Sequence, residues 1–502
     1  MIDVARETNI ERLRQVTLLV LRENDLLHER LRTLTARLAV AEGTEATTLQ
    51  LEIQLLTEQL DRQRRAAFAD SSEKRRAAEK SANADKKPKA KTGHGPTVQE
   101  KLPVVEVVHE LDEADKACPS CGGKLGQMQG QFEDSEEIDV VERSFRILRH
   151  RRTKYRCSCC SEIETALPPA KLIPGGRYSV AFAAEVAVAK YLDHAPLARQ
   201  VRSIERQGLE VSTQTLWDQL WALSGHLRPT YHALHDHVLS RPVIGADETT
   251  WRLMGTGRAG KCWVWSACTT DAVVYRIDAS RSAAAAAELL RDYSGTIVCD
   301  GYGAYTKLAK DRRQNPLGPP APTLAHCWAH ARRKFVEAEP HYLRARQAID
   351  MIGELYKVEA EAREKGITGE ALLLLRRERS KPVVEKLRAW ILAERALPKS
   401  GIGIAIGYAD GIWPGLMRFL DDPLIPLDNN QTERAMRGVA IGRKNHYGSR
   451  SERGLEVAAL MYTLMESAKL AGVDPAAYLR EATLRAIANP GTVTLPNVML
   501  SG

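Results

Sequence analysis

The chain has 502 residues, 44% of them hydrophobic, and a formal net charge of +8, which exclude a single small domain and a chain too polar to build a core. No apolar run reaches the roughly 18–20 residues that cross a bilayer, and Met1-Ile-Asp-Val-Ala-Arg-Glu lacks the basic region and apolar stretch of a signal peptide. The expectation is an intracellular protein, and the basic balance favours a polyanionic partner.

Residues 1–65 read as a coiled coil. Ile10, Leu13, Val20, Leu27, Leu31, Leu34 and Leu38 recur at alternating gaps of three and four, and Thr17 and Asn24 lie on the same seam. The pattern resumes in a new phase at Leu49, Ile53, Leu56 and Leu60. This predicts a homo-oligomer; the competing reading is a helical hairpin that packs on its own chain. Residues 66–102 read as a solvated basic linker, with eleven Lys/Arg against four Asp/Glu between Arg62 and Lys91.

Residues 103–170 form a predicted zinc-binding domain. Cys118-Pro-Ser-Cys121 and Cys157-Ser-Cys-Cys160 are two C-x₂-C turns, and two such turns complete a tetrahedral four-thiolate site. The first runs into Gly122-Gly123, which lets the backbone curl around an ion. The 35-residue spacer exceeds the usual ~15–20 and predicts a zinc ribbon with an inserted hairpin. With Cys118, Cys121, Cys157 and Cys160 as ligands, Zn²⁺ would be structural. Cys159 is left over. The alternating run Phe145–Tyr155 reads as strand.

Residues 177–240 read as helical. A helix from Pro196 ends at Gly208, and Ser212 or Thr213 can cap a second one through Leu223. Such a pair suits either a DNA-binding helix-turn-helix or ordinary helical packing. From Pro242 the pattern turns to strands: 242–253, 261–268 and 272–277, then a helix at 283–293, strand 296–299 and a fifth strand near 324–328. Residues 329–397 are again helical. The order suits a mixed sheet covered by helices.

Three carboxylates stand out on these elements. Asp247 lies in a strand-like run, beside Glu248; alternation sends the two to opposite faces, and the local sequence leaves open which one enters a site. Asp300 leaves the apolar run Thr-Ile-Val-Cys and precedes Gly301, where a turn-forming Asp is the plain alternative. Glu433 sits near the start of a basic helix, with Asp428 as expected N-cap and Gln431 at the capping-box position; a surface pair with Arg437 is its plain alternative. Hard ions such as Mg²⁺ (or Mn²⁺) take carboxylate oxygens, and two of them beside a phosphodiester is the arrangement for cutting and joining DNA. His330, Arg332, Arg333, Arg437, Arg443 and Lys444 are candidate DNA contacts. His326 and His330, four apart, can share a helical face, but no further metal ligands accompany them in the sequence.

Taken together, the leucine-rich N-terminus, the paired knuckles, Ala-Asp-Glu-Thr, Cys-Asp-Gly-Tyr, His-Cys-Trp-Ala-His-Ala-Arg-Arg-Lys-Phe, Asp-Asn-Asn-Gln-Thr-Glu-Arg and Gly-Arg-Lys-Asn resemble the large transposases of the insertion-sequence sixty-six family. The resemblance implies a multidomain α/β protein. Its ribonuclease-H-like catalytic domain would span 241–455, with a helical insertion at about 335–400, followed by a C-terminal helical segment at 456–502. It implies Asp247, Asp300 and Glu433 as catalytic and metal-binding residues. It further implies a bacterial, nucleoid-associated protein acting on transposon ends and target DNA, with companion proteins as an open question. The rival readings are a DNA-binding regulator without catalysis and a nuclease without strand transfer.

Overall fold

Five strands make the sheet on which the rest of the chain is built. The computed structural model describes residues 26–38, 43–68 and 144–500, with 157, 161 and 256–259 excepted, and scattered positions from 23 to 41 and 104 to 138. Two compact units divide it: 65–143, and the remainder of the chain. In the first, Gly122 has φ +71°, the left-handed backbone that a C-x₂-C-Gly turn calls for.

In the second unit, residues 26–38 are helical and α1 follows at Gly43–Phe68. Leu34, Leu49 and Leu56 are buried together, with Leu27, Leu31, Leu38 and Ile53 packed around them. The described part of the heptad seam packs within the chain, in the manner of the helical-hairpin reading. Periodicity marks which face is buried but does not say against what.

A small hairpin, β1 (Lys154–Arg156) and β2 (Ile163–Thr165), pairs antiparallel around the second cysteine turn. Residues 144–153 carry no strand, against the expectation for Phe145–Tyr155. Phe145 packs on the main core against Phe182, but Ile147 and Leu148 are exposed, and the run has no partner strand. Cys160 and Cys159 are exposed; Cys118, Cys121 and Cys157 lie outside the described residues.

Helices α2 (Val180–Tyr191), α3 (Leu197–Glu205) and α4 (Thr213–Leu239) come next. Gly208 has φ +81° at the turn after α3, and the Ser212 hydroxyl accepts the Thr215 N–H at 3.0 Å, capping α4. Helix α4 runs on well past Leu223, through Pro229, because its apolar face joins the main core.

Strands β3 (Val243–Leu253), β4 (Gly260–Cys268) and β5 (Val273–Asp278) form an antiparallel meander; β6 (Thr296–Cys299) and β7 (Thr323–His326) run parallel to β3, in the order β5-β4-β3-β6-β7. Helices α5 (Ala283–Leu290) and α6 (Gly303–Gln314) make the crossovers, and α7 (Trp328–Ala338) leaves β7. There follow α8 (Ala345–Glu364), α9 (Gly369–Leu375), α10 (Lys381–Ala393), α11 (Gly401–Gly411) and α12 (Trp413–Met417). Of these, α8, α10, α11 and α12 share a second core with α7. Inside this insertion Arg376 is fully buried, bidentate to Glu359 at 2.7 and 2.8 Å and bonded to the Phe419 carbonyl. Helices α13 (Asn430–His446), α14 (Glu452–Leu470) and α15 (Pro475–Ala488) close the main core. No described helix is long and apolar enough to cross a membrane.

Candidate active site

Parallel pairing sets the first two carboxylates side by side. Gly245 is opposite Val298 in the register of β3 and β6, so two residues further along Asp247 comes level with Asp300 at the end of β6. Across the antiparallel seam Asp247 pairs with Ser266 and Glu248 with Trp265. Alternation then separates the two acids. Glu248 turns to the side of α5 and α6: its side chain is 2% exposed, it pairs with Arg281 at 2.6 Å, and the Tyr305 hydroxyl donates to it at 3.2 Å. Arg281 stacks on Trp263 and Tyr302. Glu248 is thus tied into a buried clamp, which leaves Asp247 as the carboxylate facing the start of α13.

Helix α13 docks on β3 through its first residues. The Asn429 amide donates to the Ala246 carbonyl at 2.8 Å, and the Thr432 hydroxyl donates to the Asn429 side-chain oxygen at 2.6 Å. Gly245 allows this approach: a Cβ there would stand 2.0 Å from Thr432 Oγ1 and 2.4 Å from Asn429 Oδ1. The helix begins one residue later than expected. Asn429 is its N-cap, while Asp428 accepts the Asn430 N–H at 3.0 Å and Gln431 reaches back to the Thr269 carbonyl. The capping box read from Asp428 and Gln431 is therefore not formed. Glu433 falls in the first turn, aimed at the sheet edge.

The three carboxylates are close enough to act on one another. Burial pushes the Asp247 carboxyl up to about 7, and the charges of Glu248, Asp300 and Glu433 push in the same direction against the bond from the Glu248 N–H. Burial also raises Glu248, partly offset by Arg281. Asp300 is fixed by its surroundings: its Oδ1 accepts the Tyr302 N–H at 2.9 Å, and Tyr408 of α11 accepts the Gly301 N–H at 3.1 Å.

Helix α7 supplies the far wall. His330 Nε2 lies 3.6 Å from Glu433 Oε1, and Arg333 lies 3.5 Å from Oε2. Burial lowers the His330 ring, with Glu433 opposing it. Cys327, buried before the first turn of α7, accepts the Asn429 N–H on its sulfur at 3.2 Å, and burial pushes its thiol up to about 11. His326 ends β7 rather than joining α7, so the two histidines do not share a helical face as the sequence spacing suggested. Of the other candidate contacts, Arg332 is half-buried, and Arg437 and Lys444 stand exposed on α13. Arg443 turns inward, its guanidinium donating to Thr249 Oγ1 at 3.0 Å and the Thr250 carbonyl at 2.6 Å.

Sequence reasoning missed the Glu248–Arg281 clamp, Tyr408, and the Asn429–Thr432 anchor. Cys327 was within reach, since it stands three residues before His330 at the head of the same helix.

The sheet that carries Asp247 within β3 and Asp300 just after β6, with Glu433 on a helix docked against it, lies in a chain that the comparisons assign to the DNA-binding transposases. The model for the transposase IS66 family matches residues 175–457, and the zinc-finger binding domain of transposase IS66 matches 115–161. The second segment contains all four candidate zinc ligands. Two proteins of Sinorhizobium fredii (strain NBRC 101917 / NGR234), y4jD and y4qI, both described as uncharacterized, are similar. The first is 32% identical across 80% of this chain and 80% of its own length; the second is 35% identical across 76% and 72%. The chain belongs to the transposase IS66 family.

Proposed function

We propose that this transposase cuts DNA at transposon ends and joins the freed ends to target DNA, with Asp247, Asp300 and Glu433 as its catalytic carboxylates. The observation that carries the proposal is the convergence of these three groups from β3, β6 and α13, residues far apart in the chain: strand register sets Asp247 level with Asp300, and the charges of Asp300 and Glu433 both act on Asp247. The order β5-β4-β3-β6-β7, antiparallel and then parallel, supports a ribonuclease-H-like core. Crowded like charges and a buried Glu433 Oε1 without a hydrogen-bond partner fit a site for hard divalent cations. Two Mg²⁺ (or Mn²⁺) held there would supply activation of the attacking oxygen and stabilisation of the departing one.

The chain's own residues do the holding. Asp247 and Asp300 stand on rigid strands, and the Tyr302 and Gly301 amides fix the second of them. Asn429 and Thr432 set the position of Glu433, and His330 and Arg333 limit its swing. In hydrolysis, the oxygen of water bonds to phosphorus as the bond to the 3′ oxygen breaks and a proton returns to that oxygen. In joining, the 3′ oxygen so released bonds to a target phosphorus and displaces that strand's own 3′ oxygen. Arg434, Arg437 and Lys444 form an exposed basic stripe along α13 suited to phosphate contacts. We place structural Zn²⁺ on Cys118, Cys121, Cys157 and Cys160. Two ends must meet for joining, so we place a homo-oligomer in the working complex, paired through the N-terminal coiled-coil pattern read from the sequence.

The test is Asp300→Ala in the full chain, assayed on DNA that carries the element's ends. Cleavage should fall by at least roughly a thousand-fold while duplex binding persists. Retained cleavage refutes the assignment. Binding without cleavage by the wild-type chain in Mg²⁺ or Mn²⁺ favours the regulator reading, and cleavage without joining favours the nuclease.

A further inference from the structure

Glu433 belongs to a second group of ligands besides the carboxylate trio. The sulfur of Cys327, a ring nitrogen of His330 and a carboxylate oxygen of Glu433 all lie within 4.8 Å of one another. Glu433 Oε1 is buried and without a hydrogen-bond partner, although such atoms are almost always paired. A tetrahedral ion with bonds of about 2.0–2.3 Å sets its ligand atoms about 3.3–3.8 Å apart, and His330 Nε2 and Glu433 Oε1 already stand at 3.6 Å. The elements that bring these groups together are fixed: Cys327 is held by the Asn429 N–H at the base of α13, and Glu433 is one turn further on.

We propose that Cys327, His330 and Glu433 form a site for a borderline divalent cation of the zinc class, and that an ion held there withdraws Glu433 from the Asp247–Asp300 pair. The donor set decides the ion. Sulfur and imidazole nitrogen select zinc-like ions over magnesium, whereas a carboxylate trio selects the hard ions. Glu433 is the ligand common to both sets, so two classes of ion compete for one side chain. Binding is a simple exchange: the metal–sulfur bond forms as the thiol proton leaves to solvent. The Arg333 contact to Oε2 leaves Oε1 for the ion, and the fourth position falls to water. The competition rests on the reading of Glu433 as the third catalytic carboxylate; the binding does not.

Two measurements separate these parts. The full-length chain, purified with zinc in its zinc-finger domain and dialysed against a weak chelator, is titrated with Co²⁺. Wild type should take up one further ion per chain with a thiolate-to-cobalt absorption band. Cys327→Ser should lose that band, and His330→Asn should weaken binding at least roughly ten-fold. Thermal melts of both variants check folding, and the two substitutions test the site independently should one fail to fold. No further ion in wild type, or the same band in wild type and Cys327→Ser, overturns the site. The second measurement is the Zn²⁺ concentration that halves Mg²⁺-dependent end cleavage, which should rise at least roughly ten-fold in Cys327→Ser. Equal sensitivity overturns the competition. A wild type that binds Co²⁺ as described and cleaves nothing in any metal sinks the proposed function and leaves the site standing.

Discussion

At the scale of single residues, the site depends on how closely α13 is allowed to approach β3. Gly245 is the residue that sets this distance, because its missing side chain is the space that Thr432 and Asn429 occupy. Any Cβ there must push the start of the helix away or break the Asn429 bond to the Ala246 carbonyl. Glu433 is four residues beyond Asn429 on that helix, so the push reaches the carboxylate directly. Gly245→Ala should therefore cost about 1–3 kcal/mol of stability, as overpacking does. It should also lower end cleavage by about a hundred-fold, since misplacement of a catalytic group by about 1 Å costs that much. Denaturant midpoints and single-turnover cleavage check the two numbers, and a variant with wild-type cleavage would show that the contact does not position Glu433.

At the scale of elements, the exposed edge of the sheet is closed by a helix rather than by a strand. Strand β5 is last in the sheet order, and the Val273 and Tyr275 N–H groups on its free side would be orphans. Two hydroxyls of the buried helix α14 take them: Ser467 Oγ at 3.0 Å from the Val273 nitrogen and Thr463 Oγ1 at 2.9 Å from the Tyr275 nitrogen. Ser467 also donates to the Val273 carbonyl at 2.9 Å. Removing either hydroxyl leaves a buried donor unpaired, so Thr463→Val and Ser467→Ala should each cost about 1–3 kcal/mol, read from urea unfolding. An effect below about 0.5 kcal/mol in both would mean that the edge is satisfied in some other way. These hydroxyls also explain what the sequence could and could not disclose. The strands were readable because β3 to β7 are apolar runs punctuated by turns, and Asp300 was readable because it ends one of them; their order in the sheet was not. Leu460 and Leu464 mark α14 as buried, but nothing in Thr463 or Ser467 says that they serve a strand 188 and 194 residues away. Glu433 was readable as an acid at the start of a basic helix, but only the family resemblance favoured it over a surface pair with Arg437. The alternation at 145–153 misled because alternation is a strand signal only where a partner strand exists.

At the scale of the whole molecule, the main core carries ionisable groups that it holds neutral. His235 of α4 bonds through Nε2 to the Leu289 carbonyl at 2.6 Å, and burial holds its ring down to about 4 against the usual 6.5. His446, at the end of α13 among Trp251, Tyr191 and Tyr462, is also lowered to about 4, by burial and then by the charge of Lys190. Both rings are buried, so charging either one opposes the same fold. In the unfolded chain both rings take up protons near 6.5, while in the folded chain they do so only near 4. Stability from these two rings is thus complete above about pH 6.5 and is lost as the pH falls toward 4. At roughly 1.4 kcal/mol for each pH unit between the two values, each ring accounts for about 3 kcal/mol. Asp247, raised to about 7 from 3.8, works in the opposite sense over the same range, because its folded form holds a proton that the unfolded form has given up. A net pH profile therefore mixes the two, and a difference between variants separates them. Comparing wild type with His235→Gln removes one ring and leaves Asp247 unchanged. The gap in unfolding free energy between the two chains should narrow by about 3 kcal/mol on going from pH 7 to pH 4, as wild type loses the contribution that the variant never had. A gap constant across that range would mean that the folded ring takes up its proton near 6.5, as the unfolded chain does, and that the core tolerates a cation beside the Leu289 carbonyl.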